Sequence, residues 1–318
     1  KMDLETFQKH ELHLAWGDLH EAAFKVNGRS NSEILGSLDT EGDRQYHPCP
    51  ESFRREEVTS GIVNSFKDWS ESSVFKGTRR NISVYLPNMV SRPVDEMRLI
   101  VCNDGPGYRS RNGAIRATQV LDNLIHDQEI PPTAAVFITP GLPEGIDNPE
   151  EGKRPDEKAM RQRSIEYDTC NGDYLSFLVD EALPFVEKET GLSFSKDPSH
   201  KIICGISSGG ICAFNAAWHG PEHFGCVISH CGSFTNIRGG HNYPYLIRST
   251  PRKPIKVFLQ SGERDADIVT GSWALANKDV AAALDFAGYD FRFEFGSGGH
   301  NLRHGGALFA DTLRWLIG

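Results

Sequence analysis

From about residue 80 onward, short runs rich in Val, Ile, Leu and Phe alternate with longer segments whose apolar residues recur at helical spacing. The runs that predict strands cover residues 82–87, 99–102, 134–139, 202–204, 227–230, 255–260 and 291–295. The segments that predict helices cover residues 114–127, 174–190, 209–219, 273–287 and 306–316. Buried strands separated by helices are typical of a mostly parallel central sheet with helices on both faces. We therefore predict an α/β protein built on one such sheet.

Residues 1–75 differ from the rest of the chain. They are polar and turn-rich, with strings such as NGRSNSE and HPCPESFRR, and they carry no sustained apolar period. We predict that they form an N-terminal arm or cover segment. We predict that residues 76–318 form a single domain, since about 240 residues fit one α/β domain without a second core.

Charge and hydropathy narrow the classes of function. The chain of 318 residues has 34 Lys and Arg against 43 Asp and Glu, a net charge of −9. This acidic balance argues against a nucleic-acid partner, because such binding depends on basic surface. No run approaches the ~18 apolar residues that cross a bilayer, and the opening residues lack the apolar core of an export signal. We expect a small-molecule partner, no membrane partner and a cytoplasmic location; homo-oligomer formation stays open.

The cysteines and histidines indicate neither disulfides nor a metal site. The seven cysteines are odd in number and include no CxxC pair, so we expect free thiols rather than one or two disulfides. Two histidine pairs have helical spacing, at 219 and 223 and at 300 and 304, but neither has a third ligand nearby. No G-x-G-x-x-G string follows an early strand. We therefore expect no metal and no cofactor.

The most informative string is Gly205-Ile206-Ser207-Ser208-Gly209, which lies between a predicted strand and a predicted helix. This is the G-x-S-x-G pattern in the strand-turn-helix context that exposes a serine hydroxyl above a sheet. The glycines suit a sharp turn in which a Cβ at either flank would collide with its neighbours. Because the pattern alone is common in a chain with 31 glycines, the context carries the prediction that Ser207 is a nucleophile.

A serine nucleophile needs a base, and the base needs an orienting carboxylate. In this topology the order along the chain is serine, acid, histidine. The loop after the strand at 255–260 offers Asp265 as the first choice, with Asp267 and Glu263 as alternatives. The glycine-rich loop after the last strand offers His300 as the base. His304 fits less well, because it lies next to the final helix.

An oxyanion formed by attack on a carbonyl must meet preorganised N–H donors. The residue after the nucleophile supplies the first, which is the backbone N–H of Ser208. The second is expected in the loop after the strand at 99–102. Pro106 has no N–H to give, so Gly105, Gly107 or the Tyr108 hydroxyl must serve, and these three stay open.

The strings DGPGY, GISSGG, GERD and GGH together resemble the putative-esterase branch of the α/β hydrolases, which includes esterase D, feruloyl esterases and enterochelin (ferric siderophore) esterases. The resemblance runs from about residue 77 to residue 318 and is strongest to the enterochelin esterases. It implies an α/β-hydrolase catalytic domain with Ser207 as nucleophile, Asp265 as acid and His300 as base. Two departures leave other esters open: residues 1–75 do not read as the β-sandwich of many siderophore enzymes, and the chain is acidic although ferric triscatecholate is anionic.

Several residues near these loops are candidates to bind substrate. They are Tyr108, Arg163, Glu166, His230, Arg238 and Trp273. Arginines hold carboxylates or phenolates by forked hydrogen bonds, and aromatic side chains stack on aryl groups. The alternatives are ordinary: surface salt bridges for the arginines, core positions for the aromatics, and helix-start capping for 163 and 166. Residues 143–163 are interpreted as a solvated loop that could act as a lid.

The sequence therefore predicts a serine carboxylic-ester hydrolase that forms an acyl-enzyme on an aryl, phenolic or siderophore-type ester. Feruloyl or acetyl esterases, lactonases and acyltransferases use the same residues and stay as alternatives. A catalytically inactive binding protein on the same scaffold is the alternative outside enzymes. A metal-dependent hydrolase that uses His300 and His304 is a further one.

Overall fold

Eight strands form the central sheet in the computed structural model, which describes residues 40–88, 96–147 and 156–318. They are β1 (Ile62–Trp69), β2 (Thr78–Leu86), β3 (Arg98–Asn103), β4 (Thr133–Ile138), β5 (Lys201–Ile206), β6 (Cys226–His230), β7 (Lys256–Arg264) and β8 (Asp290–Gly299). Their order across the sheet is β1-β2-β4-β3-β5-β6-β7-β8. Strands β3 to β8 run parallel to one another, whereas β1 and β2 are antiparallel to their neighbours. The short segment Leu142–Pro143 also pairs with β2.

Ten α-helical segments connect or flank the strands in the described part of the chain. They are α1 (Gly105–Arg109), α2 (Ala117–His126), α3 (Glu157–Asp168), α4 (Asp173–Ser176), α5 (Leu183–Thr190), α6 (Ser208–His219), α7 (Tyr243–Ser249), α8 (Trp273–Phe286), α9 (Arg303–Ala307) and α10 (Phe309–Ile317). A π-helical segment, Phe177–Ala182, joins α4 to α5. None of the helices in the described ranges is long and apolar enough to cross a membrane.

The sheet separates two apolar layers, because alternate residues of each strand point to opposite faces. In β3, Leu99 and Val101 pack into the layer that includes α4 to α8, while Ile100 and Cys102 pack into the layer that includes α2 and α10. All four side chains are buried. A strand that is buried on both faces reads as a continuous apolar run, which explains why the sequence pattern locates it well.

The structure confirms the α/β class, with a mostly parallel central sheet flanked by helices. Each predicted strand and helix corresponds to an observed one, with bounds that shift by a few residues. The largest shift of a strand's first residue is in β2, which begins at Thr78 rather than at residue 82. Its first residues, TRRN, are polar, yet Arg80 is buried. A buried cation inside a strand removes the apolar signal on which the prediction depended.

Residues 143–163 differ from the predicted solvated loop at their C-terminal end. Residues 157–163 belong to α3, whose N-terminus is capped by Asp156, which accepts a hydrogen bond from the Lys158 N–H at 2.8 Å. The middle of the predicted lid, residues 148–155, lies outside the described residues. Because α3 buries polar side chains, it has no apolar stripe for a sequence pattern to detect.

The predicted N-terminal arm falls partly outside the described residues, which begin at residue 40. Residues 62–69, predicted as part of the arm, form the edge strand β1. Residues 47–61, which we call the strap, run over the face of the sheet covered by α2 and α10. The Cys49 N–H donates to the Gly306 carbonyl at 3.3 Å, and the Gly61 N–H donates to Asp122 Oδ1 at 2.8 Å. The division into an arm and a domain stays a prediction.

Candidate active site

Ser207 lies between β5 and α6 in a conformation that few non-glycine residues adopt, with φ 59° and ψ −124°. The flanking glycines make this turn possible. A Cβ at Gly205 would overlap the carbonyl group of Gly209, and a Cβ at Gly209 would lie 3.0 Å from Asp104 Oδ2. The turn therefore raises the Ser207 side chain at the carboxyl end of the parallel strands, where ligands of such sheets bind.

A continuous chain of hydrogen bonds joins the loops after β5, β7 and β8. Ser207 Oγ lies 2.9 Å from His300 Nε2, and His300 Nδ1 lies 2.5 Å from Asp265 Oδ1. The Asp265 side chain is fully buried and that of His300 is 8% exposed. A carboxylate at Nδ1 favours the tautomer with its proton on that nitrogen, which leaves Nε2 free to accept the serine proton.

The surroundings of Asp265 keep it ionised. Its Oδ2 accepts a hydrogen bond from the Ser261 hydroxyl at 2.5 Å, and its Oδ1 accepts one from the Ala266 N–H at 2.8 Å. Burial raises the pKa of Asp265, but the electrostatic interaction with His300 and these hydrogen bonds outweigh burial, so the pKa of Asp265 is below its ordinary value. The alternative acids are both exposed, Glu263 at the end of β7 and Asp267 in the segment after it.

The wall beside Ser207 comes from the loop after β6 and from the start of α8. Ser233 Oγ lies 3.4 Å from Ser207 Oγ and accepts a hydrogen bond from Trp273 Nε1 at 3.1 Å. The indole ring of Trp273 meets the His300 ring edge to face, with centroids 5.8 Å apart. Trp273, predicted to stack on a substrate, is fully buried and instead packs against the imidazole.

The predicted oxyanion donors lie at two helix starts. Ser208 is the first residue of α6, and Gly105 is the first residue of α1. The residue before Gly105 is Asp104, which has a positive φ of 51°. Arg163 donates two hydrogen bonds to its carboxylate, at 2.9 and 2.6 Å, and the Asp104 N–H donates to the Tyr167 hydroxyl at 3.2 Å. Helix α3 therefore fixes the orientation of the loop after β3.

Gly107 and Tyr108 have other hydrogen-bond partners. The Gly107 N–H donates to the Asp104 carbonyl at 3.0 Å. The Tyr108 hydroxyl lies 2.8 Å from Nδ1 of His230, and both side chains are completely buried. Burial, followed by the charge of His304, lowers the pKa of His230 to about 3, so this imidazole is neutral. Tyr108 and His230 were predicted to contact substrate, but neither side chain has any exposed surface in the structure.

Glu166 and Arg163 were predicted to bind substrate, and in the structure each forms an ion pair with another residue of the chain. Glu166 accepts two hydrogen bonds from Arg80, at 2.8 and 3.0 Å, and both side chains are fully buried. The Arg80 guanidinium also lies 4.3 Å from the centroid of the Phe177 ring. Arg163 pairs with Asp104 as described above. Glu166 is thus part of the core, where it ties α3 to β2.

Arg238 and Asp168 lie close enough to interact electrostatically, and the sequence predicted only Arg238 as a site residue. Arg238 Nε donates to Ser164 Oγ at 3.2 Å, while its buried Nη2 has no hydrogen-bond partner among the described residues. Asp168 was not predicted. Burial raises its pKa to about 6, although the charge of Arg163 and the hydroxyls of Ser164 and Ser208 partly oppose burial. A lone Asp at the end of a helix carries no sequence signal of burial.

Within residues 40–88, 96–147 and 156–318, one group of side chains contains enough ligand atoms to be considered for a metal. Cys231 Sγ, a carboxylate oxygen of Asp265 and a ring nitrogen of His300 lie within 4.8 Å of one another. Asp265 and His300 bond each other, however, and burial raises the pKa of the Cys231 thiol. The arrangement therefore suits proton transfer better than metal binding. All seven cysteines of the chain are free thiols in this structure.

Comparison with known proteins gives both sequence and structural relatives. The iron(III) enterobactin esterase of Dickeya dadantii is 28% identical over 265 residues, which cover 79% of this chain and 54% of the relative. The enterobactin esterase structure from Shigella flexneri superposes with a TM-score of 0.60 at 23% identity, covering 87% of this chain and 62% of that one. A ferulic acid esterase structure superposes with a TM-score of 0.61 at 18% identity, covering 81% and 99%.

These relatives differ in how much they share with the chain. The chain spans about half the length of the Dickeya dadantii enzyme, and the structural likenesses, at under 25% identity, concern the fold alone. The profile of the family described as "Putative esterase" matches residues 72–314, which include every strand of the central sheet except β1. More than half of the sequence is covered by this match. The chain therefore belongs to the putative esterase family.

Proposed function

We propose that this protein is a serine esterase that hydrolyses a carboxylic ester through an acyl-enzyme on Ser207. The observation that supports the proposal is the unbroken hydrogen-bond chain from Asp265 through His300 to Ser207 Oγ, with lengths of 2.5 and 2.9 Å. Membership of the putative esterase family supports the same chemistry. A serine hydroxyl is a poor nucleophile by itself, and this arrangement supplies both a base and a carboxylate that orients it.

In the proposed first step, Ser207 Oγ attacks the ester carbonyl carbon while its proton passes to His300 Nε2. The imidazolium that forms is stabilised by the Asp265 carboxylate at Nδ1. The tetrahedral intermediate then breaks its bond to the alcohol oxygen, which leaves with the proton from Nε2. In the second step a water molecule gives a proton to Nε2 and attacks the acyl carbon. The bond from that carbon to Ser207 Oγ then breaks, the acid leaves, and Oγ takes the proton back from Nε2.

Backbone N–H groups at two helix starts would hold the oxyanion. Ser208 supplies one, because it follows the nucleophile at the start of α6. We favour Gly105 over Gly107 for the other, since the Gly107 N–H already donates to the Asp104 carbonyl. The N-terminal ends of α1 and α6 carry partial positive charge, which favours a developing oxyanion between them. Arg163 holds Asp104, and thereby the first residue of α1, in place.

For the substrate, we propose an ester of an acyl group that carries an anionic or phenolic oxygen. Arg238 lies on the loop whose Ser233 touches Ser207, and its buried Nη2 has no partner among the described residues. An unsatisfied guanidinium nitrogen is a good donor for a phenolate or carboxylate. The named substrates of the relatives, enterobactin and ferulate esters, both carry phenolic groups, so siderophore-type and feruloyl esters are the first to test.

The test compares Ser207→Ala with the wild type on a panel of enterobactin-type, feruloyl, acetyl, aryl alkanoate and lactone esters. Ser249→Ala, an exposed serine on α7, is the matched control. We expect Ser207→Ala to lose activity by a factor on the order of 10⁴ or more. The control should keep full activity. A fluorophosphonate should attach to Ser207 in the folded wild-type protein and not in the variant.

Other outcomes would redirect the proposal. Retained turnover in Ser207→Ala would refute the nucleophile. A wild-type protein that is neither labelled nor active on any ester would indicate an inactive binding protein. Transfer of the acyl group to an added alcohol in preference to water would indicate an acyltransferase, which uses the same first step.

A further inference from the structure

Residues 40–46, which we call the clasp, lie against the glycine-rich end of β8, immediately before His300. The clasp lies outside residues 72–314, the part of the chain that matches the family. It nevertheless contacts the loop that carries the proposed catalytic base. The Gly42 carbonyl accepts a hydrogen bond from the Ser297 hydroxyl at 3.0 Å, and the Tyr46 hydroxyl accepts one from the Ser297 N–H at 3.1 Å.

The central contact of the clasp is the carboxylate of Asp43, which has no exposed surface. The Gly299 N–H donates to both of its oxygens, at 3.0 and 3.2 Å. The Thr40 N–H and hydroxyl donate to Oδ2 at 2.7 and 2.8 Å, and the side chain of Asn301 also bonds to Asp43. Burial raises the pKa of Asp43, but these hydrogen bonds outweigh burial and lower it. An ionised carboxylate therefore holds the residues on both sides of His300.

Gly296 and Gly298 of the loop lie where any side chain would collide with the clasp or with His304. A Cβ at Gly298 would lie 2.5 Å from Asp43 Oδ1. A Cβ at Gly296 would overlap the Tyr46 hydroxyl and lie 2.7 Å from the His304 ring, on which Tyr46 stacks with centroids 4.1 Å apart. The loop can approach the clasp this closely because positions 296 and 298 have no Cβ. This close packing indicates that the clasp and the loop before His300 hold each other in one arrangement.

We propose that Asp43 is a positioning residue for His300, acting through the Gly299 amide from outside the family's shared region. This inference rests on the proposed function of His300 as the base. The imidazole must meet Asp265 and Ser207 at the same time, and its ring follows the peptide planes on either side of it. Removing the carboxylate leaves the Gly299 N–H buried without its acceptor and lets the loop move. A misplacement of about 1 Å in a catalytic group can cost ~100-fold in rate.

The test uses Asp43→Ala and Asp43→Asn in the full chain, with Glu41→Gln as the matched control. Glu41 lies in the same 3-10 turn, and its side chain is 77% exposed. We expect Asp43→Ala to lower kcat by about 30- to 100-fold with KM changed by less than about twofold. Asp43→Asn should recover a large part of that loss, because its amide oxygen can still accept from Gly299. The control should match the wild type.

Two further measurements separate this inference from the proposed function and from a loss of folding. The short bond between His300 Nδ1 and Asp265 should give a far-downfield proton resonance in the wild type, which should weaken or shift in Asp43→Ala. Fluorophosphonate should still attach to Ser207 in that variant, at a rate reduced in proportion to kcat. If the wild type is not labelled, the proposed function itself fails.

The inference is overturned if folded Asp43→Ala keeps kcat within about twofold of the wild type, or if only its KM rises. It is also overturned if Glu41→Gln loses as much kcat. Should Asp43→Ala fail to fold, Asp43→Asn decides the question together with Thr40→Val, which removes one hydroxyl donor to Asp43 and leaves the Gly299 contact in place. An asparagine has lost the charge and one of the two acceptor oxygens that Thr40 and Gly299 share, so in that case the role is refuted if neither variant changes kcat or the resonance.

Discussion

Replacing Asp265 with asparagine should remove the charge next to His300 while keeping the imidazole in its working tautomer. Two N–H donors converge on Asp265 Oδ1, from His300 Nδ1 and from the Ala266 backbone. The other oxygen faces the Ser261 hydroxyl, which can rotate to accept a hydrogen bond as well as to donate one. An asparagine amide nitrogen therefore fits only at the second position, and its oxygen must stay opposite Nδ1.

The size of the effect follows from the charge that is lost. When His300 takes the serine proton it becomes positive, and the carboxylate stabilises it at a separation of about 4 Å between the two charges. At an effective dielectric constant of about 20, this attraction is about 4 kcal/mol. That energy corresponds to roughly 10³-fold in rate. We expect Asp265→Asn to lower kcat by about this factor with little change in KM, and Asp265→Ala to lose more, because it removes the orienting acceptor as well.

The assay is steady-state hydrolysis of an aryl ester by the wild type, both variants and Ser261→Ala, at several pH values. Ser261→Ala removes one hydrogen bond to Asp265 and leaves the charge in place. Its kcat should fall by no more than about tenfold, which is the value of one ordinary hydrogen bond. The reasoning is refuted if Asp265→Asn retains more than a tenth of wild-type kcat, or if it is indistinguishable from Asp265→Ala.

Two predictions concern stability. Glu166→Ala leaves the buried Arg80 guanidinium without its counter-ion and should lower the free energy of unfolding in urea by about 3–5 kcal/mol. Pairing Arg80→Met with Glu166→Leu should recover most of that loss, and no recovery would contradict this reading. Burial raises the pKa of Asp168 from 3.8 to about 6, so the folded protein binds a proton at this carboxyl more tightly than the unfolded chain does. The stability that this protonated carboxyl contributes is therefore present at low pH and is lost as pH rises from 3.8 to about 6. Asp168→Asn should therefore be more stable than the wild type by up to about 3 kcal/mol at pH 7 and equal to it near pH 4, and a difference that does not vary with pH would rule this out.

The parts of the fold that sequence patterns predict are those whose signal is local. Strands such as β3 are buried on both faces, so their sequences are apolar runs. Ser207 is recognisable because two glycines flank it at a strand-to-helix turn. Asp265 and His300 were predicted because they lie in loops after later strands, in the chain order serine, acid, histidine. The structure brings these three loops into contact.

What the sequence does not indicate depends on partners far away in the chain. The polar start of β2 is buried because Arg80 meets Glu166, which lies 86 residues further on. Helix α3 has no apolar stripe, because the side chains it buries include Glu166 and Asp168. Asp43 bonds to a residue 256 positions away, and nothing near it distinguishes it from a surface acid. Long-range polar pairs leave no periodicity, so only coordinates reveal them.

The contacts of the strap and the clasp also constrain the order in which parts of the protein can fold during synthesis. Their partners, Ser297, Gly299 and Arg314, lie 252 to 263 residues later in the chain. A ribosome adds about 5–20 residues per second and domains begin to fold from the N-terminal side, so this early stretch must wait many seconds before its docking surface exists. The loop that carries His300 is synthesised more than 250 residues after the clasp, so the contacts that hold this loop form only once the clasp packs back against it.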